Sequence, residues 1–508
     1  MKSKLFLLVI ILFGVLSRFI FLDSNPSILN RDEAALSYNA FLLMESGKDE
    51  WGKSWPLALK SFGDYKLIGY PAFELLSFKV FGLNDFAART PSALAGIGLI
   101  FISYLIAKDF IFKDRKLALI FSLLISLSPV FIFYSRMAFE ANLALFLLIT
   151  ALFLILKNQK KLDLLAILIY LIAIFTYNTP FILLPFIILI IPLIRGVKNI
   201  KNWSLITSGL VGVFIVGLVF LIPLTAQKSG ITIFSDELVW TKSVDYRNSF
   251  SGIFKSILGS KYVFWSKIAL SNFFKSFSFN FLVSKGGQHP WHALPGYGHI
   301  FYSVYFLFFI GIFNLFIKIK KNQKINLLIF YFLVVSLIPS IITVDSPHAT
   351  RSLLFFYLIS LISVFGIKYL FKISKQIRIK NKLLILFILI LTLESSKYMY
   401  NYIAKYPQNQ IVFKPGFDLA ISLAEKNHSN ENIAVVADGY QYILLAWYLK
   451  IAPNQYFETI SMQQPDRIGF NYGERLKNYH FIANKNDRID QEKILIFWDN
   501  NNWKIEKF

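Results

Sequence analysis

Apolar runs of roughly 17–22 residues recur along the chain, each long enough to cross a hydrocarbon core of about 30 Å as a helix. In lipid a backbone must satisfy its own hydrogen bonds, so these runs read as helices and not as open sheet. They predict eleven spans, near 4–22, 91–107, 117–134, 139–156, 162–177, 179–195, 203–224, 299–317, 325–343, 350–367 and 382–399. Met1–Leu22 begins with Lys2 and Lys4, but no small-x-small cleavage site precedes Asp23, so it reads as a retained first helix. Arg18 interrupts that run close enough to its outer end to snorkel. The expected fold class is mainly α: a polytopic membrane helical bundle.

The segments at every second crossing are basic. Together 1–4, 108–116, 157–161, 195–201, 318–324 and 368–382 hold 22 of the 53 Lys and Arg residues, against only Asp109 and Asp114 among acids. The positive-inside rule places them, and the N-terminus, in the cytoplasm. Two long loops, 23–90 and 225–298, and the region from about 400 onward then lie outside, where nearly all the acids sit. Segments this long are usually functional or folded in their own right. Within them Pro71–Leu83 and Ser251–Phe281 carry aromatics at helical spacing, which fits either interfacial helices or amphipathic helices of an outer domain. In the C-terminal region Asn432–Ala437, Tyr479–Ala483 and Lys493–Trp498 read as short buried strands, with Tyr440–Leu449 as a helix. Residues 1–399 are therefore expected to form the membrane domain and 400–508 a small extracytoplasmic α/β domain, more an accessory or substrate-binding module than a catalytic one.

Composition agrees: 56% hydrophobic and 16% charged, far from a soluble domain. A net charge of +23 raises the question of a nucleic-acid partner, but the basic residues are dispersed among short loops and not gathered on one surface, so none is expected. The absence of cysteine excludes disulfides, thiolate metal sites and cysteine nucleophiles.

The candidate chemistry falls on one side of this topology. Asp32 and Glu33 follow the first helix; they either begin the next helix, whose N-terminus acids favour, or form a catalytic pair, since a carboxylate is a common general base. Lys66 and Arg89 are cations at the outer surface, either interfacial anchors or partners of a lipid phosphate. Glu140 opens an otherwise apolar helix, as a cap or as a functional acid. His348 and Arg351, in the turn before the tenth span, are suited to an anionic head group. His289 and His292 are three apart on the same face and are the weak candidates for a metal; no further ligands are evident, so a divalent metal can be held there but is not indicated, and no other cofactor is expected.

In this order the residues resemble the GT-C class of membrane glycosyltransferases, nearest the group with protein O-mannosyltransferases and the aminoarabinose transferase of lipid A. That family shows an Asp-Glu pair in the first outer loop, a Lys-Pro-Pro-Leu-Tyr-like stretch, an Ala-Arg-Leu-Pro-Ser-Ala-Leu stretch, a later acid and a basic residue opening a late helix. Asp32-Glu33 matches the first element, and Ala88-Arg89-Thr90-Pro91-Ser92-Ala93-Leu94 matches the third closely. Glu140 and Arg351 fit the last two. Lys66-Leu67-Ile68-Gly69-Tyr70 matches only at its ends, lacking both prolines. The resemblance is strong over 1–195, continues in topology to 400, and is negligible in the last hundred residues.

It implies inverting transfer of a hexosyl or pentosyl group from a polyprenyl-phosphate donor to a protein, lipid or glycan acceptor on the outer face of the membrane. Asp32 would be the base, Lys66, Arg89 and Arg351 would hold the lipid phosphate, and Glu33 and Glu140 would position acceptor or sugar. Two other readings compete. A polysaccharide polymerase or ligase usually relies on arginines in its outer loops, whereas acids lead here. A transporter calls for charge at mid-membrane depth and broken helices, whereas these runs are largely uninterrupted.

Overall fold

The computed structural model describes residues 2–62, 64–225, 231–317, 323–376, 380–406, 413–466 and 469–508. Gly63 and parts of the basic segments 318–324 and 368–382 lie outside them. The chain divides into two units: one holds 1–18, 94–135 and 141–401, the other 19–93, 136–140 and 402–508.

The first unit is helical. All eleven apolar runs fall on helices, but the count of eleven long spans is corrected. Among the described residues six helices are long and apolar enough to cross a membrane: Asp85–Ile111, Glu140–Lys157, Asn178–Arg195, Ser204–Leu224, Lys324–Ile341 and Thr350–Ser374. A seventh is counted if Arg115–Leu127 and Pro129–Ser135, bent by 56° at Ser128, make one span. Of the others, Lys2–Phe19 carries three cations, while Lys160–Thr176 has 17 residues and Tyr302–Ile317 has 16.

Glycine sets the closest packing in this unit. A Cβ at Gly311 would stand 2.1 Å from the Ile362 carbonyl oxygen, and one at Gly366 would stand 2.2 Å from that of Leu307. The helices Tyr302–Ile317 and Leu353–Gln376 therefore meet backbone to backbone, as small residues allow in membranes. Arg18 departs from expectation. It is fully buried and donates to the Gly14 and Ser126 carbonyls and to Ser17 Oγ at 3.1–3.3 Å, so packing holds it inside where a lone helix would let it snorkel. A buried bidentate pair, Arg195 with Asp163 at 2.8 and 2.5 Å, ties Asn178–Arg195 to Lys160–Thr176.

The second unit is α/β. Strands β1 (Ala58–Ser61) and β2 (Asp64–Leu67) form an antiparallel hairpin that pairs Leu59 with Lys66. The C-terminal sheet has six strands, β3 (Asn432–Val436), β4 (Ser461–Met462), β5 (Gly473–Leu476), β6 (Tyr479–Ile482), β7 (Glu492–Asp499) and β8 (Asn502–Lys507). Their order is β4-β5-β6-β3-β7-β8, with β3 parallel to β6 and β7 and the remaining pairs antiparallel. The three strands read from sequence are its buried centre, where Ala434, Ile482, Leu495 and Phe497 cluster. The helix Gln441–Tyr448 is buried from Gln441 to Trp447 and reaches Asp85. Trp447 Nε1 donates to Asp85 Oδ1 at 2.8 Å and the Tyr448 hydroxyl to Asp85 Oδ2 at 3.0 Å.

Candidate active site

Asn30 organises the site. It is the N-cap of the helix Arg31–Ser46, in extended conformation, and its Oδ1 accepts from the Asp32 and Glu33 amides at 2.8 and 3.0 Å. Glu33 Oε2 accepts the Asn30 amide in return at 3.0 Å, closing a capping box. The two neighbouring carboxylates then part. Glu33 turns inward with no exposure, and its Oε1 accepts Arg89 Nε at 3.1 Å and the Ala138 amide at 2.7 Å. Asp32 turns outward, 33% exposed, and pairs with Nζ of the 5%-exposed Lys66 at 3.0 Å.

Arg89 lies at the start of the helix Asp85–Ile106 and is fully buried. A guanidinium has five N–H donors. Here two reach Glu33, and the other three go to the carbonyls of Leu22, Pro26 and Ile28 at 2.7–3.0 Å. None is left for a phosphate, so the expected phosphate contact gives way to a clamp on the segment between the first two helices. Arg136 supports the same stretch, donating to the Phe21 and Asn25 carbonyls at 3.0 Å with its guanidinium over the Tyr402 ring. Lys66 is fixed by the β1–β2 hairpin, with Nζ 4.5 Å from the centre of the Phe62 ring. Glu140 is half-buried at the first position of its helix.

Three further acids surround this centre. Burial pushes Glu50 up to about 7, against the nearby Lys66 charge and a hydrogen bond from Tyr442. Burial likewise raises Glu74 well above the usual carboxylate range, against a 2.7 Å hydrogen bond from Ser37, with the charges of Glu140 and Glu33 adding to the rise. Asp85 is the anchor of Trp447 and Tyr448. Sequence reasoning missed all three, because burial of a carboxylate is decided by distant segments. Asn30 was also missed, although Asn-x-x-Glu ahead of a helix is a legible signal.

The remaining predicted residues gather in the helical unit. His289, His292 and His348 have ring centres 4.8–5.2 Å apart. Asp345 Oδ2 faces His289 Nε2 at 3.5 Å and His348 Nε2 at 3.4 Å, while Oδ1 accepts Arg351 Nη1 at 2.5 Å. Burial, helped by the Arg351 charge, holds His348 down at about 3, and it holds His292 well below its ordinary range. Burial opposes ionisation of Asp345 but is outweighed by His289 and Arg351, which hold that carboxyl well below the usual range. Asp32, Glu33, Lys66, Arg89 and Glu140 thus meet in one unit, and His289, His292, His348 and Arg351 meet in the other.

Residues 68–223 match the family described as dolichyl-phosphate-mannose-protein mannosyltransferase. Sequence comparison with curated proteins gives no match. Among solved structures the chain is similar to apo ArnT from Cupriavidus metallidurans, at 12% identity and a TM-score of 0.54, over 89% of this chain and 85% of that one. ArnT bound to undecaprenyl phosphate gives 13% and 0.53, over 88% and 84%. The archaeal oligosaccharyltransferase AglB from Archaeoglobus fulgidus, solved with an inhibitory peptide and a dolichol-phosphate, gives 12% and 0.52, over 88% of this chain and 63% of that one. At these identities the likeness is one of fold.

Proposed function

We propose that this chain, which has the GT-C fold of membrane glycosyltransferases, transfers a hexosyl or pentosyl group from a polyprenyl-phosphate donor to an acceptor outside the membrane, with inversion. The observation that carries the reading is Asp32, a carboxylate open to solvent and paired with a buried lysine on a rigidly capped helix start. The family match and the shared fold support the reaction class. ArnT with undecaprenyl phosphate and AglB with dolichol-phosphate support the donor class.

In this mechanism an acceptor hydroxyl or amide attacks the anomeric carbon. Its proton passes to the Asp32 carboxylate, the new glycosidic bond forms, and the bond between the anomeric carbon and the phosphate oxygen breaks. The electron pair leaves with the polyprenyl phosphate. Lys66 orients Asp32 and offers positive charge to the departing phosphate. Glu140 contacts acceptor or sugar. Glu33 and Arg89 act as positioning residues: they fix the turn that presents Asp32.

Incubating purified protein with defined polyprenyl-phosphate sugars and reading the anomeric configuration of the product by NMR tests this. Inverted product is expected. Retained configuration would overturn the single-displacement step, and no transfer from any such donor would overturn the reaction class.

A further inference from the structure

We propose that His289, Asp345 and His348 form a divalent-metal site of the zinc class. One donor atom from each residue lies within 4.8 Å of the others. A tetrahedral zinc with bonds of about 2.0–2.1 Å spaces its ligand atoms roughly 3.3 Å apart. Two edges of that figure stand at 3.5 and 3.4 Å, from Asp345 Oδ2 to the Nε2 atoms of His289 and His348. The third, between donor atoms of the two imidazoles, is within 4.8 Å.

The surroundings favour this use of the carboxylate. Arg351 engages Oδ1 at 2.5 Å, which turns Oδ2 toward both rings, the outer-shell arrangement that orients ligands at metal centres. His348 Nδ1 is buried without a hydrogen-bond partner among the described residues, so its ring is held mainly by what Nε2 meets. A cation shared with Asp345 supplies that contact. Asp345 and His348 sit on either side of Pro347, and His289 precedes Pro290, so short proline-stiffened turns present all three. The His292 Nε2 lies 3.4 Å from Thr350 Oγ1, outside the set. His289 and Asp345 are partly exposed, so three protein ligands leave a position for an oxygen donor. Asp345 carries no local mark as a ligand in the sequence, standing 56 residues from His289.

The test uses full-length protein in detergent, stripped with chelator and titrated with Zn²⁺ alone, with bound metal measured by mass spectrometry and affinity by a chromophoric competitor. One equivalent per chain is expected, with affinity falling roughly tenfold or more in His289→Ala and in Asp345→Asn. His289 is half-exposed and its replacement keeps the fold, as an unchanged melting temperature without metal verifies. Zinc should raise the melting temperature of the wild type and not of His289→Ala. Absence of stoichiometric binding, or binding that survives both substitutions, would overturn the proposal. No sugar enters this assay, so its outcome is independent of the transferase reading.

Discussion

Asp32 and Glu33 are neighbours on one helix, each paired with a cation, yet their surroundings are opposite. The Glu33–Arg89 pair has no exposure on either side, and every guanidinium donor is spent on protein. The Asp32–Lys66 pair opens to solvent at the acid and is dry at the base. A buried pair with all its hydrogen bonds made holds a backbone in place; a half-open pair keeps a carboxylate oriented and reachable. The capping box lets one turn do both, because it fixes the amides and sends successive side chains to different faces.

Breaking the closed pair should have the largest effect on stability. Arg89→Met leaves Glu33 buried without its cation and three carbonyls without donors, a loss of roughly 3–5 kcal/mol. A sharply lowered melting temperature is the expected result, and an unchanged one would deny the clamp.

The next effect lies at Glu50, beside Lys66. Its folded pKa of about 7 exceeds the ordinary value, so the folded state holds a proton that the unfolded state has lost. Stability therefore falls as pH rises from about 4.5 to 7, by up to roughly 3 kcal/mol. Glu50→Gln should flatten that part of the melting-temperature profile; equal slopes in variant and wild type would remove Glu50 from the account. The smallest stability effect is expected from Lys66→Met, about 1 kcal/mol because Asp32 is screened by water, although transfer should drop strongly.

The same contrast explains what was readable in the chain. Long apolar runs located the helices, and β-rich apolar stretches located β3, β6 and β7. The bend at Ser128 and the short helices were not readable, since apolar content does not report where a helix breaks. Strands β1, β2, β4, β5 and β8 are short or polar, as in ALKS and NWKIEK, and gain their place only from a partner strand. Asp32, Glu33, Lys66 and Arg89 were visible as charges near membrane exits. Which of them would be buried was not, because Arg89 meets carbonyls more than sixty residues away and Asp85 meets Tyr448 across 363. Glu50 and Glu74 carry no local mark at all.

The central claim is the division of labour between the two carboxylates. It is tested most directly by measuring melting temperature and transfer from a polyprenyl-phosphate sugar together in Asp32→Asn and Glu33→Gln. Asp32→Asn should melt like the wild type and lose transfer by roughly 10²–10⁴-fold, while Glu33→Gln should melt markedly lower. An Asp32→Asn protein that transfers normally, or a Glu33→Gln protein as stable as the wild type, would contradict it.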